Sequence, residues 1–123
     1  RREAEAVERW NLTHPDETPR VSYVEELLSK NTVPTVAVSD YIKLVSDQIR
    51  PYVPGPYYCL GTDGFGRSDT REGLRRFFEV DRYYVVLTAI KALVHAGELE
   101  AGMVDAVLEK YGLDPEKPNP VTV

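Results

Sequence analysis

The sequence predicts an α/β domain, and three observations carry that reading. Thr32 to Ser39 is rich in β-branched residues and wholly apolar at Val36, Ala37 and Val38, the pattern of a parallel strand covered on both faces. A helical stripe at Ile42, Val45, Ile49 and Val53 follows, and Tyr57 to Thr62 then reads as a second strand. Strand, helix and strand form one unit whose crossover is expected to be right-handed. The second strand runs directly into Gly61-Thr62-Asp63-Gly64-Phe65-Gly66-Arg67-Ser68-Asp69-Thr70-Arg71, a turn from strand to helix. With 123 residues the chain is long enough for one core and is read as a single domain, 1–123.

Taken in order, Arg1 to Asn11 is expected to be a surface helix with a narrow apolar stripe at Ala4, Val7 and Trp10. It opens with no cap, as a piece cut from a longer chain does. His14-Pro15-Asp16-Glu17-Thr18-Pro19 ends it. Ser22 and Glu25 form a capping box for a short helix, Tyr23 to Lys30, with Asn31 as the stop. Ser39 or Asp40 is the expected cap of the helix between the strands, and Pro51, Pro54, Gly55 and Pro56 terminate it. Beyond the glycine-rich turn come a helix over Thr70 to Phe78, a longer one over Arg82 to Ala96 capped by Asp81 and stopped by Gly97, and a last one closed by Gly112. The long helix is apolar nearly all round, which predicts deep burial. Asp114 to Val123, with three prolines, is expected to lie extended over a surface. Two strands are few for a stable layer, so further strands are expected within the helical segments or upstream of Arg1.

The glycine-rich turn is the first candidate for function. Gly61, Gly64 and Gly66 permit backbone that side chains forbid, and Asp69 with Glu72 is expected to cap the next helix. Phe65, Arg67, Ser68 and Arg71 are left over by that structural account. A glycine turn at a helix start can hold phosphate. The spacing, however, is G-x-x-G-x-G, not the dinucleotide fingerprint, and no G-K-[ST] is present. A tight surface turn is favoured. Arg67, Arg71 and Arg75 are four apart and share a face if the helix starts early, suited to carboxylates or phosphates of a partner. Asp63-Gly64-Phe65-Gly66 resembles a kinase metal motif only superficially, since the lysine strand and H-R-D loop are absent.

Other chemistry is sparse. His14 precedes a proline in a loop and His95 occupies a last helical turn, where a cation suits the helix dipole. Neither has a partner at a catalytic spacing. Cys59 is the only cysteine, so no intrachain disulfide forms, and its place in a strand makes it a small apolar residue. Tyr52, Tyr57, Tyr58, Tyr83 and Tyr84 are read as packing rather than base stacking. The net charge of −5 argues against a nucleic-acid surface. No apolar run approaches the roughly 20 residues of a membrane span, so a cytoplasmic, membrane-free location is expected.

Leu60 to Val86, L-G-T-D-G-F-G-R-S-D-T-R-E-x-L-R-x-F-F-E-V-D-x-x-Y-V-V, closely resembles the C-terminal domain of the homodimeric bacterial pyruvate dehydrogenase family, the thiamine-diphosphate-dependent first components of the pyruvate dehydrogenase complex. Three further segments agree in order: R-W-N-x-x-H-P-x-E-x-P-R-V from Arg9, S-D-Y-x-K-L-x-x-D-Q-I-R-P-Y-V-P from Ser39, and Y-G-L-D-P-E-K-P-N-P from Tyr111. The resemblance covers nearly the whole chain. It implies a transketolase-like C-terminal domain, a mostly parallel sheet flanked by helices that lacks its first strand in this stretch.

The resemblance also implies an oxidoreductase that decarboxylates pyruvate, linking glycolysis to acetyl-CoA, and passes the acetyl group to lipoyl groups of the second component. Thiamine diphosphate and Mg2+ are bound by domains absent from this sequence, so no residue of this chain inherits a catalytic, cofactor-binding or metal-binding role and the piece alone is expected to be inactive. The implied partners are the remaining domains of the same enzyme, a second subunit of a homodimer and the acetyltransferase component. Asp63, Phe65, Arg67, Ser68 and Arg71 are the expected interdomain or subunit contacts. The competing reading is an independent α/β binding module that recognises an anionic ligand or protein partner through the Gly61 to Arg71 turn.

Overall fold

The computed structural model describes residues 1–30 and 32–123, so the stop expected at Asn31 lies outside the described residues. Helix α1 spans Arg2–Thr13 and α2 Tyr23–Leu28. Strand β1 is Thr35–Val38, α3 Lys43–Asp47, a 3-10 turn Arg50–Tyr52, and β2 Tyr57–Leu60. Helices α4, α5 and α6 are Arg71–Phe77, Arg82–His95 and Gly102–Tyr111. The two strands pair in parallel, Thr35 opposite Tyr57 through Val38 opposite Leu60. Helix α5 packs on β1 and α6, α3 packs on β2, and α1 packs on α2.

Local chemistry explains most boundaries. The expected capping box is present: the Glu25 amide donates to Ser22 Oγ, and Ser22 N–H donates back to Glu25 Oε2 at 3.1 Å. Asp81 Oδ1 accepts from the amides of Tyr83 and Tyr84, both at 3.0 Å, and starts α5. Gly112, left-handed at φ 58°, ends α6. Tyrosines tie elements together as packing groups. Buried Tyr52 donates to Glu8 on α1 at 2.9 Å, and buried Tyr57 donates to the Ser46 carbonyl at 2.8 Å.

Several expectations are corrected. Strand β1 is half-buried rather than covered on both faces, and Val38 is exposed, because the described sheet has only two strands. Helix α5 is not deeply buried: Ala92 alone of its residues is buried, while Val86 faces solvent. Neither Ser39 nor Asp40 caps α3. Ser39 Oγ accepts from the Tyr41 amide at 2.8 Å in a local turn, and the first amide of α3, on Lys43, donates instead to Asp63 Oδ2 at 2.9 Å. The helix expected to reach Val53 is short and passes into the 3-10 turn at Arg50, where Pro51 withholds a donor.

The ends of β1 and β2 are stitched together at the carboxyl end of the sheet. Ser39 N–H donates to the Leu60 carbonyl at 3.2 Å, Thr62 N–H to the Tyr41 carbonyl at 2.9 Å, and Thr62 Oγ1 to the Asp40 carbonyl at 2.9 Å. This closeness requires Gly61. A Cβ there would stand 2.6 to 2.9 Å from backbone atoms of Tyr41, Ile42 and Lys43, none of which can swing aside. Gly61→Ala is expected to lower stability by about 1–3 kcal/mol, the usual cost of overpacking against a fixed neighbour. Urea denaturation checks it, and an unchanged midpoint would contradict the geometry.

Candidate functional site

The glycine-rich turn stands at the carboxyl end of β2, the end at which open α/β sheets carry their ligand sites. Three attachments hold it. Asp63 reaches across to the Lys43 amide, so its carboxylate supplies the cap that α3 lacks. Gly64, at φ 122°, lies beneath the C-terminal tail, and a Cβ there would stand 2.3 Å from the Pro120 carbonyl oxygen. On the far side, Thr70 Oγ1 accepts from the Gly73 amide at 3.1 Å and starts α4. The cap is therefore Thr70, not Asp69, which accepts from the Thr70 amide at 2.6 Å and folds over Gly73. Gly66 takes no positive φ and has open space around it, so nothing in the backbone demands glycine there.

The polar and aromatic side chains of the turn have different tasks. Asp63 and Asp69 are occupied with backbone amides. Phe65 is 72% exposed, with its ring unpacked at the tip of the turn. Because α4 begins at Arg71, Arg67 is not on the helix and does not share a helical face with Arg71 and Arg75. Instead its guanidinium lies 3.9 Å from the centre of the Phe77 ring, a contact worth about 0.5–1 kcal/mol at an exposed site. Arg75 pairs with Asp40 at 3.2 Å and Arg76 with Asp81 at 3.3 Å. Phe65, Arg67, Arg71, Leu74 and Phe78 line one open groove of about 560 Å³. Ser68 sits beside it in a smaller cleft with Arg67 and Phe77.

The tail braces the same region, which the sequence signalled only through its prolines. Pro120 is buried against the turn. Lys117 Nζ donates at 2.9 Å both to the Phe77 carbonyl and to Glu79 Oε1. Glu79 has φ 62°, unusual for a residue with a side chain, just beyond the end of α4. No glycine marks that position, so no sequence signal announced it.

The remaining candidates are structural. His14 stacks on Trp10 at 4.4 Å between ring centres, and Arg20 lies 3.7 Å from the Trp10 ring. His95 is exposed at the end of α5. The Cys59 thiol, half-buried, points to Asp47 Oδ1 at 3.6 Å. Burial first, and the Asp47 carboxylate second, push its pKa up, away from a reactive thiolate.

Among the described residues no three His, Cys, Asp or Glu side chains converge as a metal site, and no helix is long and apolar enough to cross a membrane. At the turn the carboxylates nearest a helix start are already engaged by amides, so the donor set does not fit magnesium diphosphate. The arrangement can do something else. It presents an aromatic ring and two arginines on a rigid frame, the composition of a contact surface.

The transketolase-like TK C-terminal domain family matches residues 6–81, and the chain belongs to that family. It is similar along nearly its whole length to proteins named pyruvate dehydrogenase E1 component: 55% identical to one from Cupriavidus necator over 99% of the chain, 54% to one from Pseudomonas aeruginosa over 98%, and 48% to one from Escherichia coli K12 over 97%. The chain spans 14%, 14% and 13% of those relatives, in their C-terminal part.

The geometry separates Asp63 from Phe65 in a way stability can read. Asp63→Ala is expected to cost about 1–2 kcal/mol by leaving a helix-start amide without its acceptor, whereas Phe65→Ala is expected to stay within about 0.5 kcal/mol. Thermal or urea melts of the two variants check it, and equal losses would contradict the division.

Proposed function

We propose that this chain is the C-terminal structural and interaction domain of a pyruvate dehydrogenase first component. The observation that carries the reading is sequence identity of 48–55% to E1 components along almost the whole chain. The whole enzyme decarboxylates pyruvate and transfers the acetyl group to lipoyl groups of the second component. Thiamine diphosphate, bound with Mg2+ by other domains, supplies the carbanion chemistry. This chain contributes no reacting group. Its work is to hold those domains and a second subunit in register, in a cytoplasmic homodimer, and the isolated chain is inactive.

The contact residues are Phe65, Arg67, Ser68 and Arg71, held in place by Asp63. Burying Phe65 against another domain gains about 1.5–3 kcal/mol, enough to matter for assembly. Arg67 keeps its planar head over Phe77, a preorganised donor for a carboxylate or carbonyl of the neighbour. Arg71, which has no ion-pair partner among the described residues, favours a second reading as an anion-binding module. Titration of the 123-residue chain with inorganic phosphate separates the two. Saturable binding by a stable monomer favours the module, and none favours the enzyme domain.

In the full E1 polypeptide, Arg67→Ala is expected to weaken the dimer or slow acetyl transfer while leaving thiamine diphosphate affinity nearly unchanged. Sedimentation, a lipoyl acetylation assay and a cofactor titration read the three effects. Loss of cofactor binding with assembly intact would contradict the assignment.

A further inference from the structure

The end of β1, the loop after it and the start of α3 carry apolar side chains that the described fold leaves exposed. Val38, Tyr41, Ile42, Leu44 and Val45 are between 41% and 70% exposed, five large apolar residues within eight positions. Their backbone is not loose. Tyr41 lends its carbonyl to Thr62, Tyr41 N–H is held by Ser39 Oγ, and Lys43 N–H by Asp63. The charge of Asp40 is paired with Arg75 at 3.2 Å. These residues thus form a firm apolar ledge at the carboxyl end of the sheet, joined through Gly61 to the turn that carries Phe65. A cluster of exposed large apolar side chains on a preorganised frame is the mark of an interface.

From this we infer that the ledge Val38–Tyr41–Ile42–Leu44–Val45 is a second docking surface, distinct from the arginine turn, and that its occupant is a predominantly apolar face of the rest of the same E1 polypeptide. The inference rests on the proposed function. Two observations select the occupant. The chain covers only 14% of the relatives it matches at 54–55% identity, so most of such a polypeptide lies outside it. The ledge is also mainly apolar: its one carboxylate, Asp40, is paired with Arg75, and exposed Lys43 is its one cation without an ion-pair partner among the described residues, a balance that suits a largely apolar contact of the kind that joins domains.

The test is hydroxyl-radical footprinting by mass spectrometry of the 123-residue chain and of a full-length E1 polypeptide carrying this sequence. Labelling of Tyr41, Ile42 and Leu44 is expected in the short chain and to be lost in the long one, whatever the protein concentration. Equal labelling in both overturns the inference. Protection that appears in the short chain as concentration rises, or vanishes when the long protein is diluted to monomers, also overturns it, because the occupant is then a second copy. A Y41S/I42S pair in the long protein is expected to release the domain to limited proteolysis while the short chain carrying the same pair melts as the parent does. Pyruvate decarboxylation by the long protein is scored separately. Activity with an unprotected ledge defeats this inference alone, and absence of activity defeats the proposed function instead.

Discussion

At Gly61 two backbone segments approach more closely than a side-chain carbon permits, and the arrangement of the carboxyl end of the sheet follows from that contact. The end of β2 lies against the loop leaving β1. Thr62 then hydrogen-bonds back to Asp40 and Tyr41, and Asp63 caps α3 across the gap. Each such bond contributes only about 0.5–1.5 kcal/mol, but together they fix one loop against the other. The exposed ring of Phe65 and the apolar ledge of β1 and α3 consequently share one rigid frame. The C-terminal tail adds a brace from the opposite side, with Pro120 on Gly64 and Lys117 on Glu79.

Sequence patterning made the elements legible where local chemistry decides them. The Ser22–Glu25 box, the Asp81 cap, the Gly112 stop and the parallel strand pair are all where their residues place them. What escaped it was non-local. No pattern within α3 says that its first amide is capped from 20 residues away by Asp63, although Ile42 as the preceding residue is a poor cap and points to an outside acceptor. Asp69, expected from the sequence as the cap of α4, lies one residue before the actual cap, Thr70, because helix starts shift by a residue or two with local hydrogen bonding. Burial was overestimated for β1 and α5 for a different reason. An apolar strand or helix signals that it is to be covered, and says nothing about whether the covering group lies in the same stretch of chain.

The candidate site was legible in composition but not in role. Asp63, Phe65, Arg67, Ser68 and Arg71 are neighbours in sequence, yet the fold gives them different tasks: Asp63 turns inward to cap, Arg67 folds onto Phe77, and Phe65 stays outside. Assigning the turn to contact rather than catalysis agrees with that division. Its carboxylates serve the backbone, and its free groups are an aromatic ring and arginines, which recognise surfaces. The turn lies within residues 6–81, the stretch that matches the transketolase-like TK C-terminal domain family.

The claim that the two strand-end loops form one unit with the sheet is tested most directly by native-state hydrogen exchange at single-amide resolution. The Thr62 and Lys43 amides are compared with those of Thr35 and Ser39, which donate to Pro56 and Leu60 at the two ends of the strand pair. If the stitch is integral, all four amides open together and share one exchange free energy. Free exchange at Thr62 and Lys43, with Thr35 and Ser39 still protected, would show a loop merely resting on the sheet and would contradict the account.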